Sequence, residues 1–268
     1  MSSAQGKVTL PRLLRMKAAG EKIAVLTAYD AGFTAALDRA GVDVILVGDS
    51  LGMVVKGGGT TLTVTLDEMV YHSRCVASGA SRAFIIADLP FMSYPTAEAA
   101  AQNAARLFRE GGVNMVKLEG GRSRCEIVRF LVSQNMPVCG HLGLLPQSVH
   151  ALGGYHMQAG DEASAQALLE DALGLQEAGA SLLVLECIPA RLAGEISRAL
   201  RIPCIGIGAG VDCDGQVLVL HDMLGMGAGK RPRFVKDFLS GAGSIEGAAA
   251  AYVEAVRAGQ FPGPEHSY

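Results

Sequence analysis

Short apolar runs alternate along this chain with longer stretches of helical periodicity. The runs occupy residues 23–28, 44–47, 84–87, 115–118, 137–140, 182–185, 204–207 and 217–220. Between them the spacing predicts helices over 31–40, 67–78, 97–109, 124–134, 164–178 and 190–200; Ala101, Ala104, Ala105 and Phe108 mark an apolar face on the third. Strands that are apolar throughout and alternate with helices belong to a parallel sheet covered on both faces. Eight of them predict an α/β protein of the (β/α)8 TIM-barrel type. Only residues 208–216 separate the last two strands, too few for a full helix, so a turn or stub is expected there. An open, doubly wound sheet is the alternative from pattern alone.

Five of the runs end on polar or charged residues: Asp49, Asp88, Glu119, His141 and Glu186, with Lys117 inside the fourth. An ionisable group straight after a buried run is costly unless it is paired, bound to a metal or facing a wet cleft. Five in series point to strands delivering acids, a lysine and a histidine to one shared face, where barrel enzymes keep their chemistry. The loops agree. Those after the strands are long (48–66, 88–96 and 141–163), whereas those leading back into strands are short and often carry glycine. No linker or repeat divides the chain, which reads as one domain over 1–268. Its alanine-rich tail, 242–258, is expected to form a helix outside the barrel or at a subunit contact.

Composition narrows the function classes. Of 268 residues half are hydrophobic and 34 are glycine, and a net charge of −3 gives no polybasic footprint for nucleic acid or an anionic membrane. No run approaches the roughly 18 apolar residues of a membrane span, and residues 1–7 lack a leader's apolar core, so a soluble cytoplasmic protein is expected. The six cysteines show no metal-ligand spacing and read as reduced, mostly structural thiols. Cys187, next to Glu186, is weighed as a nucleophile and set below that bland reading.

Asp49, Asp88 and Glu119 each have an ordinary reading as a turn or loop acid. On three neighbouring strand ends, however, they repel one another unless a cation or proton sits among them, and their hard oxygens suit Mg²⁺. Lys117 lies two residues before Glu119, hence on the same face and one layer deeper, where it needs an anionic partner. Glu186 ends the sixth strand, across the ring from the acids, a placement for a general base; His141, between them, is placed to hydrogen-bond or move a proton. The remaining histidines are assigned ordinary roles. Gly206-Ile207-Gly208-Ala209-Gly210 lacks the spacing of a dinucleotide fingerprint and is read as a glycine-lined strand end that lets a ligand approach the backbone.

Several segments resemble the signature segments of ketopantoate hydroxymethyltransferases. They are Leu46-Val47-Gly48-Asp49-Ser50-Leu51-Gly52-Met53, Ala87-Asp88-Leu89-Pro90-Phe91-Met92, Val116-Lys117-Leu118-Glu119-Gly120-Gly121 and Gly140-His141-Leu142-Gly143-Leu144-Leu145-Pro146-Gln147-Ser148. Leu185-Glu186-Cys187-Ile188-Pro189, the glycine segment at 205–210 and Phe261-Pro262-Gly263-Pro264-Glu265-His266-Ser267 are similar as well. The resemblance spans about residues 9–267. It implies a (β/α)8 barrel and transfer of a one-carbon unit from 5,10-methylenetetrahydrofolate to 3-methyl-2-oxobutanoate, giving 2-dehydropantoate in pantothenate synthesis. It also implies Mg²⁺ held at Asp49, Asp88 and Glu119, substrate contacts from Asp49, Ser50, Asp88 and Lys117, Glu186 as proton acceptor, and a large homo-oligomer, often a decamer. Two rivals are weighed: a Mg²⁺-dependent carbon–carbon lyase of the phosphoenolpyruvate mutase and isocitrate lyase type, whose Lys-Cys-Gly-His loop is absent here, and a catalytically silent scaffold barrel, which has no reason to keep a repelling acid cluster.

Overall fold

A computed structural model describes residues 6–227 and 231–268. The first five residues, part of the segment read as lacking a leader, lie outside the described residues. Eight parallel strands close into a barrel in chain order: β1 (Ile23–Thr27), β2 (Val44–Val47), β3 (Phe84–Asp88), β4 (Met115–Glu119), β5 (Val138–Gly143), β6 (Leu182–Glu186), β7 (Cys204–Ile207) and β8 (Gly215–Leu218). Around and between them run helices α1 (Leu10–Ala18), α2 (Ala31–Arg39), α3 (Leu51–Val54), α4 (Leu66–Gly79), α5 (Ala97–Arg109), α6 (Cys125–Ser133), α7 (Val149–Leu152), α8 (Glu162–Glu177), α9 (Ala190–Ala199), α10 (Leu220–Met223) and α11 (Ile245–Arg257). Closure rules out the open doubly wound sheet.

The two faces of every strand are buried against different partners. Ile23, Val25, Val44, Leu46, Phe84, Ile86, Met115, Cys139, Leu182, Val184, Ile205, Ile207 and Val217 form the barrel interior. The alternate positions, such as Ala24, Leu26, Ile45, Val47, Val116 and Leu118, pack outward in the larger cluster shared with the helices. Counting on by twos along the inward set reaches Asp88 after Ile86, Lys117 and Glu119 after Met115, His141 after Cys139, and Glu186 after Val184. The ionisable residues are therefore the upper interior layers of the barrel, continuous with the apolar layers below.

The opposite end is sealed by α1, whose Leu13 and Met16 join Val8 in the interior cluster. Lys17 Nζ on α1 reaches Asp214 Oδ2 at 2.6 Å, and the same oxygen accepts from Ser197 Oγ and from the Cys204 backbone N–H, pinning the plug to the start of β7. Sequence periodicity missed this helix.

As expected, no helix separates β7 from β8. β8 starts two residues before the predicted run because the ladder with β1 already pairs Gly215 with Ile23 and Gln216 with Ala24. Gln216, buried on the outward face beside Ala24, is satisfied there by donating from Nε2 to Gly210 O. The buried stripe of α5 runs through Ala100, Ala104 and Leu107, with Ala101 and Phe108 packed beside it; an alanine-rich helix marks its face weakly. The tail helix α11 lies outside the barrel against α2 and β1, its buried Tyr252 hydroxyl shared between Val25 O and Gln216 O across the β1–β8 seam. No helix among the described residues is long and apolar enough to cross a membrane.

One buried acid organises the turn into β3. Asp38, near the end of α2, accepts from the backbone N–H groups of Ser81, Arg82 and Ala83 and from Ser81 Oγ. Burial alone would raise its pKa, but these donors outweigh burial and hold it below the usual 3.8. A depressed acid stabilises the fold above its unfolded-state pKa, and that contribution is lost as pH falls through its folded-state pKa. Asp38→Asn is expected to cost about 2 kcal/mol at pH 7, with a smaller penalty below about pH 3. Urea melts of both proteins at the two pH values check this; an equal penalty at both would remove the charge from the account.

Candidate active site

Strand register assembles the site. Asp88 is paired in the ladder with Lys117, and Glu119 with His141. Lys117 Nζ lies 3.1 Å from Asp88 Oδ1, a close but poorly aligned ion pair, and 3.2 Å from His141 Nδ1. His141 Nδ1 is 3.5 Å from Glu119 Oε1, while its Nε2 approaches Glu186 Oε2 to 3.1 Å, again without hydrogen-bond alignment. In a singly protonated ring whose Nδ1 accepts from the Lys117 ammonium, the proton sits on Nε2, toward Glu186. Glu186 is thus joined to the acid cluster through His141, where the strand order alone suggests it stands apart. The physical reason is adjacency: β5 lies between β4 and β6, and one imidazole spans both neighbours.

Asp49 lies just beyond β2. Its backbone N–H donates to Asp88 Oδ2 at 3.0 Å, and its own Oδ2 accepts from Gln147 Nε2 at 2.8 Å. Ser50 Oγ pairs with the buried Tyr29 hydroxyl at 2.8 Å. Behind Tyr29 stand two histidines assigned ordinary roles from sequence: His72 Nδ1 lies 2.7 Å from Tyr29 O, and the His221 ring is 5.7 Å from the Tyr29 ring.

Asp49, Asp88, Lys117, Glu119 and His141 are all 3–5 % exposed, whereas the Glu186 side chain is 15 % exposed and is the most open of the set. Burial, then repulsion from Asp88 and Glu119, pushes the Asp49 pKa well above the ordinary carboxylate range. For Lys117 burial works against charge, but Asp88, Glu119 and Asp49 more than compensate and hold it firmly protonated. Burial and Lys117 oppose protonation of His141, the Glu119 and Glu186 carboxylates favour it, and the balance lies above the usual imidazole value.

Asp49, Asp88, Glu119 and Glu186 set four carboxyl groups against one ammonium, so the fully ionised acids leave three negative charges in a nearly dry space. That donor set fits a divalent cation. Each of Asp49 and Asp88 has one oxygen held by an N–H donor within the protein, and Asp88 Oδ1 is buried without a hydrogen bond. Among the described residues no three His, Cys, Asp or Glu side chains converge tightly enough to enclose an ion by themselves. Mg²⁺ does not require that, since it keeps waters and uses one or two carboxylates beside substrate oxygens. Glu119 is the more committed of the three acids, its Oε2 accepting from the Gln147 N–H and its Oε1 facing His141.

The glycine segment after β7 serves packing. A Cβ on Gly208, which has φ +58°, would lie 3.1 Å from the Phe234 and Tyr268 rings, and one on Gly210 2.5 Å from Ala190 Cβ. The chain's own tail occupies the approach read as a ligand's, and Tyr268 O accepts from the Ala190 N–H. Cys187 is buried beside that tail, and burial pushes its thiol pKa up, which disfavours the thiolate that nucleophilic chemistry needs.

Sequence reasoning missed Gln147, Tyr94 and Tyr29. Tyr29 directly follows the first apolar run and Gln147 lies within a quoted signature segment, whereas Tyr94 carries no such signal. Gln147, Tyr94, Glu119 and Arg124 also line a small cleft of about 80 Å³ with Phe91, Met92 and Pro95.

Comparison with known proteins agrees with the residues. A family model described as ketopantoate hydroxymethyltransferase matches residues 7–264. The chain is 62 % identical over 261 residues to a 3-methyl-2-oxobutanoate hydroxymethyltransferase of Methylococcus capsulatus, covering 97 % of each chain. It is 58 % identical over 266 residues to the protein of that name from Burkholderia multivorans, covering 99 % of this chain and 98 % of the relative. Among solved structures it is similar to phosphonopyruvate hydrolase in complex with oxalate and Mg²⁺ (TM-score 0.60, 11 % identity, 78 % and 80 % of the two chains). A phosphoenolpyruvate phosphomutase from Streptomyces platensis subsp. rosaceus gives TM-score 0.59 at 16 % identity over 82 % and 83 %. At such identities the structural likeness speaks for the barrel alone. With the family model spanning nearly the whole chain and its relatives matched end to end, the chain belongs to the ketopantoate hydroxymethyltransferase family.

Proposed function

We propose that this enzyme transfers a hydroxymethyl group from 5,10-methylenetetrahydrofolate to 3-methyl-2-oxobutanoate, giving 2-dehydropantoate, the first step of pantothenate synthesis. The observation that carries the reading is the excess of buried carboxyl groups over one lysine, in a chain of this family. A 2-oxo acid is itself an anion and gains nothing from such a site unless a cation accompanies it. Asp49 and Asp88, with Glu119 beside them, would hold Mg²⁺, which when bound supplies Lewis-acid stabilisation of the enolate charge.

The protein's own groups perform the rest. Asp49, Ser50, Asp88 and Lys117 orient the keto acid, and the Lys117 ammonium adds positive charge near its oxygens. Glu186, the most open acid, removes the C3 proton, and the His141 ring, with Nε2 at 3.1 Å, steadies its carboxylate. Water hydrolyses the methylene bridge, breaking both C–N bonds to release tetrahydrofolate and formaldehyde; the carbanion then bonds to the formaldehyde carbon, and the resulting alkoxide takes up a proton to become the hydroxymethyl group. The long loops after β2 and β5, which meet where Tyr155 Oη contacts Met53 Sδ at 3.7 Å, are the walls assigned to the pterin. The reading extends to a cytoplasmic homo-oligomer, decameric by resemblance, each chain one barrel domain with a helical tail.

Incubation with keto acid, methylenetetrahydrofolate and Mg²⁺ is expected to give a product heavier by one hydroxymethylene unit, and EDTA to abolish it; folded protein that forms no product sinks the assignment. Glu186→Gln is expected to retain Mg²⁺ and keto-acid binding while slowing C3–H exchange in D₂O by about 10²–10⁴-fold. Exchange near the wild-type rate would take the base role from Glu186. Asp88→Asn is expected to weaken Mg²⁺ and keto acid together, measured by calorimetric titration, and unchanged affinity for both would move the cation elsewhere.

A further inference from the structure

Gln147 lies in the short turn Pro146–Ser148 that follows β5, and it is 8 % exposed. Each polar atom of its side chain has a partner. The amide Nε2 donates to Asp49 Oδ2 at 2.8 Å and to Leu89 O at 3.0 Å, and the amide Oε1 accepts from the Tyr94 hydroxyl. Its backbone N–H donates to Glu119 Oε2 at 3.0 Å. The amide has one tolerable orientation, because a flip would set its oxygen against a carboxylate and a carbonyl, both acceptors. Tyr94 reinforces that direction, and its hydroxyl also accepts a long bond, 3.4 Å, from the Glu119 N–H.

One uncharged residue, through its side chain and its backbone N–H, thereby touches two acids that come from different strands and repel each other. We infer that Gln147 is a positioning residue for the divalent-cation site. It clamps one oxygen of Asp49 and, through its backbone, one oxygen of Glu119, leaving the second oxygen of Asp49 for the ion. Tyr94 fixes the direction of the amide. The inference rests on reading Asp49 and Asp88 as the cation site.

The test uses the full chain and Mn²⁺ as the probe, its binding followed by electron paramagnetic resonance without substrate. Gln147→Ala is expected to weaken Mn²⁺ roughly 10- to 100-fold, the range for outer partners of metal ligands. Tyr94→Phe is expected to weaken it less. The double variant should fall short of the summed single effects, since both act through one amide. In C3–H exchange assays the Mg²⁺ concentration for half-maximal rate should rise in step, while the rate at saturating Mg²⁺ changes little, a split that general loss of structure does not produce. If Gln147→Ala loses its cooperative melt, Tyr94→Phe, which removes one hydroxyl, carries the test. Wild type binding Mn²⁺ with both variants within twofold of it overturns the inference alone. Wild type that binds no Mn²⁺ overturns the cation reading and this inference with it.

Discussion

Lys117 and Asp88, buried against each other in the upper barrel, are the contact on which the site depends. Either charge left alone in that interior would cost about 3–5 kcal/mol, so the two stand or fall together. Their meeting is a consequence of register. β3 and β4 pair Asp88 with Lys117 at the same level, and both lie on the inward face that begins with Phe84 and Met115. A slip of one residue would turn the whole strand inside out, burying Asp88 among the helices and bringing Ala87 to the barrel mouth in its place. The hydrophobic pattern that closes the barrel and the ion pair that charges its mouth are one constraint.

Above that pair the interior changes character within two residues. Met115, Cys139 and Val184 fill the apolar layers; Lys117, Glu119, His141 and Glu186 continue the same rows upward. Such a layer is poor material for stability, since its acids outnumber its single lysine. It persists because the apolar layers, the α1 plug and the α11 tail supply stability elsewhere, leaving the mouth free to be electrostatically unfinished. In the proposed reading a cation and an anionic substrate complete it, and His141 stands between the acid at the open side and those held deep.

The solved barrels that resemble this chain at 11–16 % identity share the scaffold. On that scaffold this chain's own strand ends and loops, such as the β5 loop that carries Gln147 across to Asp49, build the candidate site.

The chain's own pattern was enough for the barrel, the missing seventh helix and the acids, lysine and histidine at the strand ends, because strand periodicity is local and a charge at the end of an apolar run stands out. It was also enough for the family, through contiguous segments. The sequence did not reveal α1, whose role is to plug rather than to alternate with strands. It did not reveal the packing purpose of Gly208, since the Tyr268 ring that fills its missing side chain lies 60 residues away. It placed His141 between the acids and Glu186 but not how near the ring comes to each, and it did not reveal the contacts of Gln147 and Tyr94 with Asp49 and Glu119. Those are contacts between separate strands and loops, and only closure of the barrel decides which side chains come within hydrogen-bond reach.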